Sequence, residues 1–98
     1  MAMMAKRING KKAQQLTEKG ALLIDMRDPV SFRDGSIPGA VNLTLRRVST
    51  LVREPKTRNL IFFGENENDD TLKAAINYAY QFGFTEVFSL GCKENWNK

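Results

Sequence analysis

The fold is decided by the stretch NLIFFGENENDDTLKAAINY, residues Asn59–Tyr78, in which a strand pattern is followed by a short polar loop and a helix pattern. The apolar run Asn59–Phe63 is typical of a strand covered on both faces of a parallel sheet. Leu72 and Ile76 recur at helical spacing. Such a loop can hold an anion, because the first amides of the helix point into it. Here it carries four carboxylates, those of Glu65, Glu67, Asp69 and Asp70.

Strand and helix patterns alternate along the rest of the chain. The predicted elements are a helix over Asn9–Lys19, a strand over Ala21–Met26, a short helix from Asp28-Pro29 to Gly35, a strand over Ala40–Leu43, a helix capped by Thr44 or Ser49 that carries Leu45, Val48, Leu51 and Val52, and a last strand over Glu86–Leu90. This order predicts a single α/β domain, with a parallel sheet of four to five strands, helices on both faces and right-handed crossovers.

Length and composition limit the class of protein. Ninety-eight residues make one domain over residues 1–98, of which 1–7 are expected to form a frayed start. No apolar run approaches the roughly 20 residues that cross a bilayer, so no membrane role is expected. The first residues lack the apolar region of a secretory signal. A single cysteine, Cys92, excludes an internal disulfide, and we therefore expect a cytoplasmic protein.

The chain contains no histidine, which removes the commonest general base and zinc ligand. We predict no metal and no cofactor. Glu65, Glu67 and Asp69 alternate along the loop like the oxygen ligands of a calcium site. The loop lacks the central glycine and the distant bidentate glutamate of an EF-hand, so calcium is disfavoured.

The net charge of +4 comes from fifteen bases and eleven acids, four of which lie in the loop. A basic surface can attract nucleic acid. These bases are scattered and no aromatic residues interleave with them, so nucleic acid is an unlikely partner.

Two longer motifs resemble signatures of the rhodanese-like domain family. The stretch LLIDMRDPVSFRDGSIPGAVNL is similar to the family's first signature, with Ser36 in place of its usual histidine. The matching residues are Asp25, Arg27, Phe32, Gly35, Ile37, Pro38, Gly39, Ala40 and Asn42. The stretch GFTEVFSLGCKENW resembles the family's ending, and the resemblance covers about Ile8–Trp96.

The resemblance implies a catalytic cysteine directly after the central strand, in a loop of the form C-x-x-x-x-R that carries a persulfide. Gly64 stands at the cysteine position, and the arginine position falls near Asp69 or Asp70. The segment is also about two residues longer than a simple sulfurtransferase loop. The degenerate loop comprises Gly64, Glu65, Asn66, Glu67, Asn68, Asp69 and Asp70. We therefore predict a catalytically inactive domain that acts as a binding or regulatory module.

The four acids allow two compatible interpretations. Asp69 or Asp70 precedes a helix, where a carboxylate caps amides and favours the positive end of the helix dipole. We also expect a loop carboxylate to occupy the space that a substrate anion fills in an active relative. The predicted binding residues are Asp25, Arg27, Glu65, Glu67, Asp69 and Asp70, with a basic protein segment as partner. Arg27 is expected to tether loops through carbonyls or through a carboxylate such as Asp34.

Cys92 supports an alternative function, that of a thiosulfate sulfurtransferase or persulfide carrier. It replaces the second glycine of the family's G-G turn, and the topology places it at the same sheet edge as Gly64. The sequence supplies no base or anion cradle near it, and Lys93 is its adjacent cation. An incidental turn cysteine is therefore the favoured interpretation.

Overall fold

The structure, a computed structural model, describes residues 5–98. The first four residues of the predicted frayed start lie outside this range. The elements, in chain order, are β1 (Lys6–Arg7), α1 (Gly10–Glu18), β2 (Leu22–Asp25), α2 (Pro29–Asp34), β3 (Val41–Asn42), the 3₁₀ helix η1 (Leu45–Arg53), β4 (Leu60–Gly64), α3 (Asp70–Gln81), β5 (Val87–Cys92) and the 3₁₀ helix η2 (Lys93–Asn97).

The five strands form one parallel sheet in the order β1-β5-β4-β2-β3. β4 is central, with Ile61 beside Leu23 of β2 and Phe88 of β5. The register of the pairing between β4 and β5 shifts at an irregularity between Phe62 and Phe63. The predicted parallel α/β sheet of four to five strands is confirmed.

The central strand supplies both layers of the core through its side-chain alternation. Leu60 and Phe62 pack in one cluster with Val48 of η1 and Ala75 of α3. The neighbouring residues, Ile61 and Phe63, pack in a second cluster, on the side of α1. Because successive residues of a strand point to opposite faces, one apolar run covers both sides of the sheet. Phe62, Phe63 and Phe84 are buried, and Phe82 is half-buried.

Helix α1 begins and ends as the sequence predicts. The Asn9 side chain accepts the amide of Lys12 at 2.9 Å, and Gly20 follows the helix with φ +101°. Gly10 is required because the backbone carbonyls of Asn95 and Trp96 lie where a Cβ atom would be. Trp96 itself is half-buried against the α1 side of the core.

Helix α2 has the predicted Asp28-Pro29 start and Gly35 end. Asp28 accepts the amide of Ser31 at 3.0 Å and its hydroxyl at 2.8 Å. These hydrogen bonds, with that of the amide largest, lower the pKa of Asp28 below its ordinary value of 3.8.

One local prediction is wrong. Lys6 and Arg7 belong to the expected frayed start but form β1, whose partners are Phe88 and Ser89 of β5. The apolar residues of the predicted helix after Thr44 do not all share one environment, since Val52 is 52% exposed whereas Val48 and Leu51 are buried. η1 is a 3₁₀ helix with three residues per turn, so position 52 turns away from the stripe that contains 48 and 51. Thr44 takes the N-cap position without a side-chain cap bond.

Within residues 5–98, no helix combines the length and the apolar character that crossing a bilayer requires.

Candidate functional site

The carboxyl ends of the strands gather the predicted site residues at one edge of the sheet. β2 ends at Asp25, β4 ends at Gly64 and β5 ends at Cys92. Gly64 and Cys92 are direct register partners on neighbouring strands. Since adjacent strands lie about 4.8 Å apart, the thiol-bearing residue is one strand spacing from the glycine.

The loop after β4 folds back so that one of its own carboxylates lies over Gly64. The Oδ2 atom of Asp69 is 2.6 Å from the position that a Cβ atom on residue 64 would take. The same oxygen accepts the amide of Glu65 at 3.2 Å, and Oδ1 accepts the amide of Thr71 at 2.9 Å. Asp69 is thus the N-cap of α3 and also an internal anion for the amides of the loop.

The other three acids lie in different environments. Glu67 forms an ion pair with Arg7 of β1, and its Cγ atom lies 2.7 Å from the position of a Cβ on Gly91. That close approach and a φ of +85° both require glycine at position 91. Glu65 and Asp70 are exposed to solvent. Of the four predicted acidic binding residues, these two therefore remain the most available to a partner.

The amides of the loop are placed by short local bonds. The Asn66 side chain accepts the amide of Asn68 at 2.8 Å, and the carbonyl of Asn66 accepts the amide of Asp69 at 3.3 Å. Asn66 and Asn68 thus belong to the turn that brings the Asp69 carboxylate back to β4.

Beside the loop, a buried ion pair joins the end of β2 to the Gly35–Ser36 turn. Asp25 is fully buried and accepts Arg27 Nη2 at 2.8 Å and the Ser36 hydroxyl at 2.7 Å. Arg27 Nη2 also donates to the carbonyl of Gly35 at 2.7 Å. The hydrogen bond to Asp25 raises the pKa of Arg27, with smaller contributions from the charges of Asp25, Glu65 and Glu94, while burial opposes the rise. Arg27 is therefore a permanent cation inside this edge.

These contacts correct the role predicted for Asp25 and Arg27. Both were expected to contribute to binding, but Asp25 is fully buried and Arg27 is 8% exposed. Arg27 does tether a carbonyl, as predicted, while its carboxylate partner is Asp25 rather than Asp34. Sequence reasoning did not assign the role of Asn42, whose side-chain amide donates to the carbonyls of Asp25 at 3.0 Å and Arg27 at 2.8 Å. The sequence contained a signal for this role, because Asn42 is the last of the residues that match the first family signature.

Cys92 is half-exposed at the start of η2 and is a free thiol. The ammonium of the adjacent Lys93 donates to the carbonyl of Gly35 at 3.2 Å. That hydrogen bond joins η2 to the Gly35–Ser36 turn, whose Gly35 carbonyl also accepts from Arg27.

A cavity of about 290 Å³ opens next to this edge, between β1 and η2. Its lining residues are Arg7, Ile8, Asn9, Glu67, Asn95 and Lys98. Gly64 and Cys92 are not among them. Over the described range 5–98, the structure gathers no group of three or more Cys, Asp or Glu side chains suited to hold a metal ion.

The five-stranded parallel sheet, with a strand–loop–helix site at its carboxyl edge, places the chain among the α/β domains. The family model for the rhodanese-like domain matches residues 9–98. The chain is 36% identical over 93 residues to the thiosulfate sulfurtransferase GlpE of Pseudomonas syringae pv. syringae, covering 93% of this chain and 86% of that protein. It is 34% identical over 92 residues to GlpE of Ectopseudomonas mendocina, covering 93% and 84%. This chain belongs to the rhodanese-like domain family.

Solved structures agree on the fold. The Alr3790 protein from Anabaena sp. superposes with a TM-score of 0.77 at 24% identity, covering 92% of this chain and 84% of that one. The single-domain sulfurtransferase RDL2 of Saccharomyces cerevisiae superposes with a TM-score of 0.74 at 18% identity, covering 99% and 92%.

Proposed function

We propose that this chain is a rhodanese-like binding or regulatory module that carries no sulfur at position 64. The observation that supports the proposal is the Asp69 carboxylate, whose Oδ2 atom lies 2.6 Å from the position that a Cβ atom on residue 64 would take. Glycine offers no nucleophile, and the amides of Glu65 and Thr71 already bind an anion of the chain itself. Residence in the cytoplasm is part of the same proposal.

Electrostatic repulsion also disfavours the binding of an anionic sulfur donor at this loop. Two unit charges about 4 Å apart interact by about 4 kcal/mol at an effective dielectric constant of 20. A thiosulfate dianion that approached Gly64 would be repelled by the Asp69 carboxylate over a similar distance. Arg27, the nearby cation, is already paired with Asp25.

The activity test is thiosulfate:cyanide sulfurtransfer by the purified chain, with an active relative as positive control. We expect no thiocyanate above the uncatalysed rate, and the same result for Cys92→Ser. Turnover that survives Cys92→Ser would overturn the proposal that this chain is catalytically inactive. Turnover that the substitution abolishes would replace it with the second candidate.

The partner that fits this module is a basic protein segment at Glu65 and Asp70, the two exposed acids of the loop. A labelled lysine-rich peptide of about 12 residues, followed by fluorescence anisotropy, tests this directly. Glu65→Gln combined with Asp70→Asn is expected to weaken binding more than Glu18→Gln combined with Asp34→Asn, which removes the same charge elsewhere. Equal weakening by the two pairs would remove the loop as the recognition surface.

A second candidate function is persulfide transfer by Cys92. The similarity to thiosulfate sulfurtransferases supports this candidate more than it supports an inactive module. The register pairing of Gly64 and Cys92 also supports it, since it places the thiol beside the position of the missing nucleophile. The Cys92 thiolate would attack the outer sulfur of thiosulfate, a new S–S bond would form, and sulfite would leave with the electron pair of the broken bond.

This second candidate has its own readout, independent of turnover. After exposure to thiosulfate and removal of the excess, intact-mass measurement would show a gain of one sulfur atom that a reductant reverses. The gain must be absent from Cys92→Ser. An unchanged mass for the original chain, with a positive control that does gain sulfur, rules the candidate out.

A further inference from the structure

The outer surface of η1 carries a group of unpaired positive charges. Three exposed arginines, Arg46, Arg47 and Arg53, lie on this one short helix. None of their guanidiniums has a hydrogen-bond or ion-pair partner among residues 5–98. They are here called the η1 arginines.

Helix geometry explains why the three arginines are all exposed. A 3₁₀ helix has three residues per turn, so positions 45, 48 and 51 form one stripe along it. That stripe packs into the core through Val48 and Leu51, with Leu45 half-buried. The two remaining stripes hold positions 46, 49 and 52 and positions 47, 50 and 53, and both face solvent. Two thirds of the helix surface is therefore free.

No acid of the neighbouring elements neutralises this surface. The segment 45–58 contains five bases and one acid, Glu54, and that carboxylate pairs with Arg58. α3 packs beside η1, and beyond Asp70 at its start it contributes Lys73 and no carboxylate.

Val52 gives the basic surface an apolar component. It is 52% exposed and lies between Arg47 and Arg53 along the helix. Arg46 and Arg53 are seven residues apart, or about 14 Å at the 3₁₀ rise of 2 Å per residue. A complementary ligand thus presents negative charges over about 14 Å with an apolar side chain between them.

We propose that η1 is a docking surface for an acidic protein segment that carries an apolar side chain among its carboxylates. Carboxylates pair with the η1 arginines in the planar geometry that guanidinium favours, and the apolar side chain covers Val52. A single-stranded nucleic acid fits less well, because no aromatic residue lies between positions 45 and 53 to stack a base. This proposal does not depend on the fate of position 64.

The test uses the full chain and a labelled 12-residue peptide of glutamates with one central leucine, followed by fluorescence anisotropy at low salt. The variant is Arg46→Gln, Arg47→Gln and Arg53→Gln together. The matched control is Lys11→Gln, Lys12→Gln and Lys19→Gln, which removes the same charge from exposed positions on or beside α1. Far-ultraviolet circular dichroism and thermal unfolding establish that both variants fold.

The expected result is a loss of affinity of about tenfold in the η1 variant and less than about twofold in the control, because short-range ion pairs and not net charge hold the peptide. Replacing the peptide's leucine by serine is expected to weaken binding to the original chain but not to Val52→Ser. Equal losses in the two triple variants overturn the proposal, and so does an absence of binding. Tighter binding of a labelled dT12 oligonucleotide with the same arginine dependence, or self-association through η1, assigns the surface to another partner.

Discussion

The carboxylate of Asp69 stands over Gly64, with Oδ2 2.6 Å from the place of a Cβ atom. The amides of Glu65 and Thr71 bind the same carboxylate. The glycine and the aspartate therefore form one structural unit rather than two separate substitutions.

We expect positions 64 and 69 to be energetically coupled. Gly64→Ala is expected to cost about 1–3 kcal/mol, because its methyl group meets Asp69. Asp69→Ala is expected to cost about 1 kcal/mol as a lost helix cap. The double variant, measured by urea unfolding, should lose about 1 kcal/mol less than the sum, since the alanine at 69 makes room for the methyl. Strict additivity would show that the contact has no energetic consequence.

Removing Asp69 is also expected to open the amides to an external anion. In Asp69→Ala, the free amides of Glu65 and Thr71 lie at the start of a helix, where anions bind. Tens of millimolar sulfate should then raise the melting temperature of this variant more than that of the original chain. Asp70→Ala is the matched control, because it removes an exposed acid one residue away. The general stabilising effect of sulfate is common to all three proteins, and an identical rise in each would contradict an occupied cradle.

The buried pair of Asp25 and Arg27 makes a third prediction, on stability. Arg27→Leu leaves the fully buried Asp25 without its cation, and we expect a loss of about 3–5 kcal/mol in the free energy of unfolding. Arg27→Lys should recover only part of it, because lysine cannot reproduce the two-oxygen contact with Asp25 and the bond to Gly35. Arg33→Leu, at an exposed position of α2, is the control and should change little. A loss under about 1 kcal/mol in Arg27→Leu would mean that the pair is dispensable.

The cap of α2 predicts a pH dependence. The pKa of Asp28 is lowered in the folded state, so its charged form stabilises the fold fully above its ordinary value of 3.8. That contribution is lost as the pH falls through the lowered pKa. Asp28→Asn keeps a capping side chain that does not titrate. The stability difference between the original chain and Asp28→Asn, from urea unfolding, should be constant from about pH 7 to pH 5 and shrink below about pH 4. A difference that is flat down to pH 3 would contradict the assignment.

The sequence predicted the sheet, its parallel order and the site edge because those features depend on apolar runs, caps and glycines that act locally. It also predicted that Asp69 or Asp70 caps a helix, and Asp69 does so. It did not predict which way each of the four acidic side chains turns. Asp69 turns inward because two amides within two to four residues hold it, while Glu67 turns toward Arg7 on a strand the sequence did not reveal. β1 is two exposed basic residues, and such a segment carries neither an apolar run nor an alternation. Its existence depends on β5, a partner about 80 residues away.

The sequence pattern also left open which type of helix forms at η1, and this leads to a direct test. Residues 48, 51 and 52 fit one face of an α-helix, but only 48 and 51 share a face when there are three residues per turn. Val48→Ala is therefore expected to cost about 2 kcal/mol, since it removes buried methyl groups and leaves a cavity. Val52→Ala should stay within about 0.5 kcal/mol of the original chain. Both values come from urea unfolding of otherwise identical proteins, and the pair controls for helix propensity because each replaces valine by alanine in the same helix. Equal losses at the two positions would mean that this segment winds as an α-helix in solution, and the exposed surface assigned to η1 would have to be redrawn.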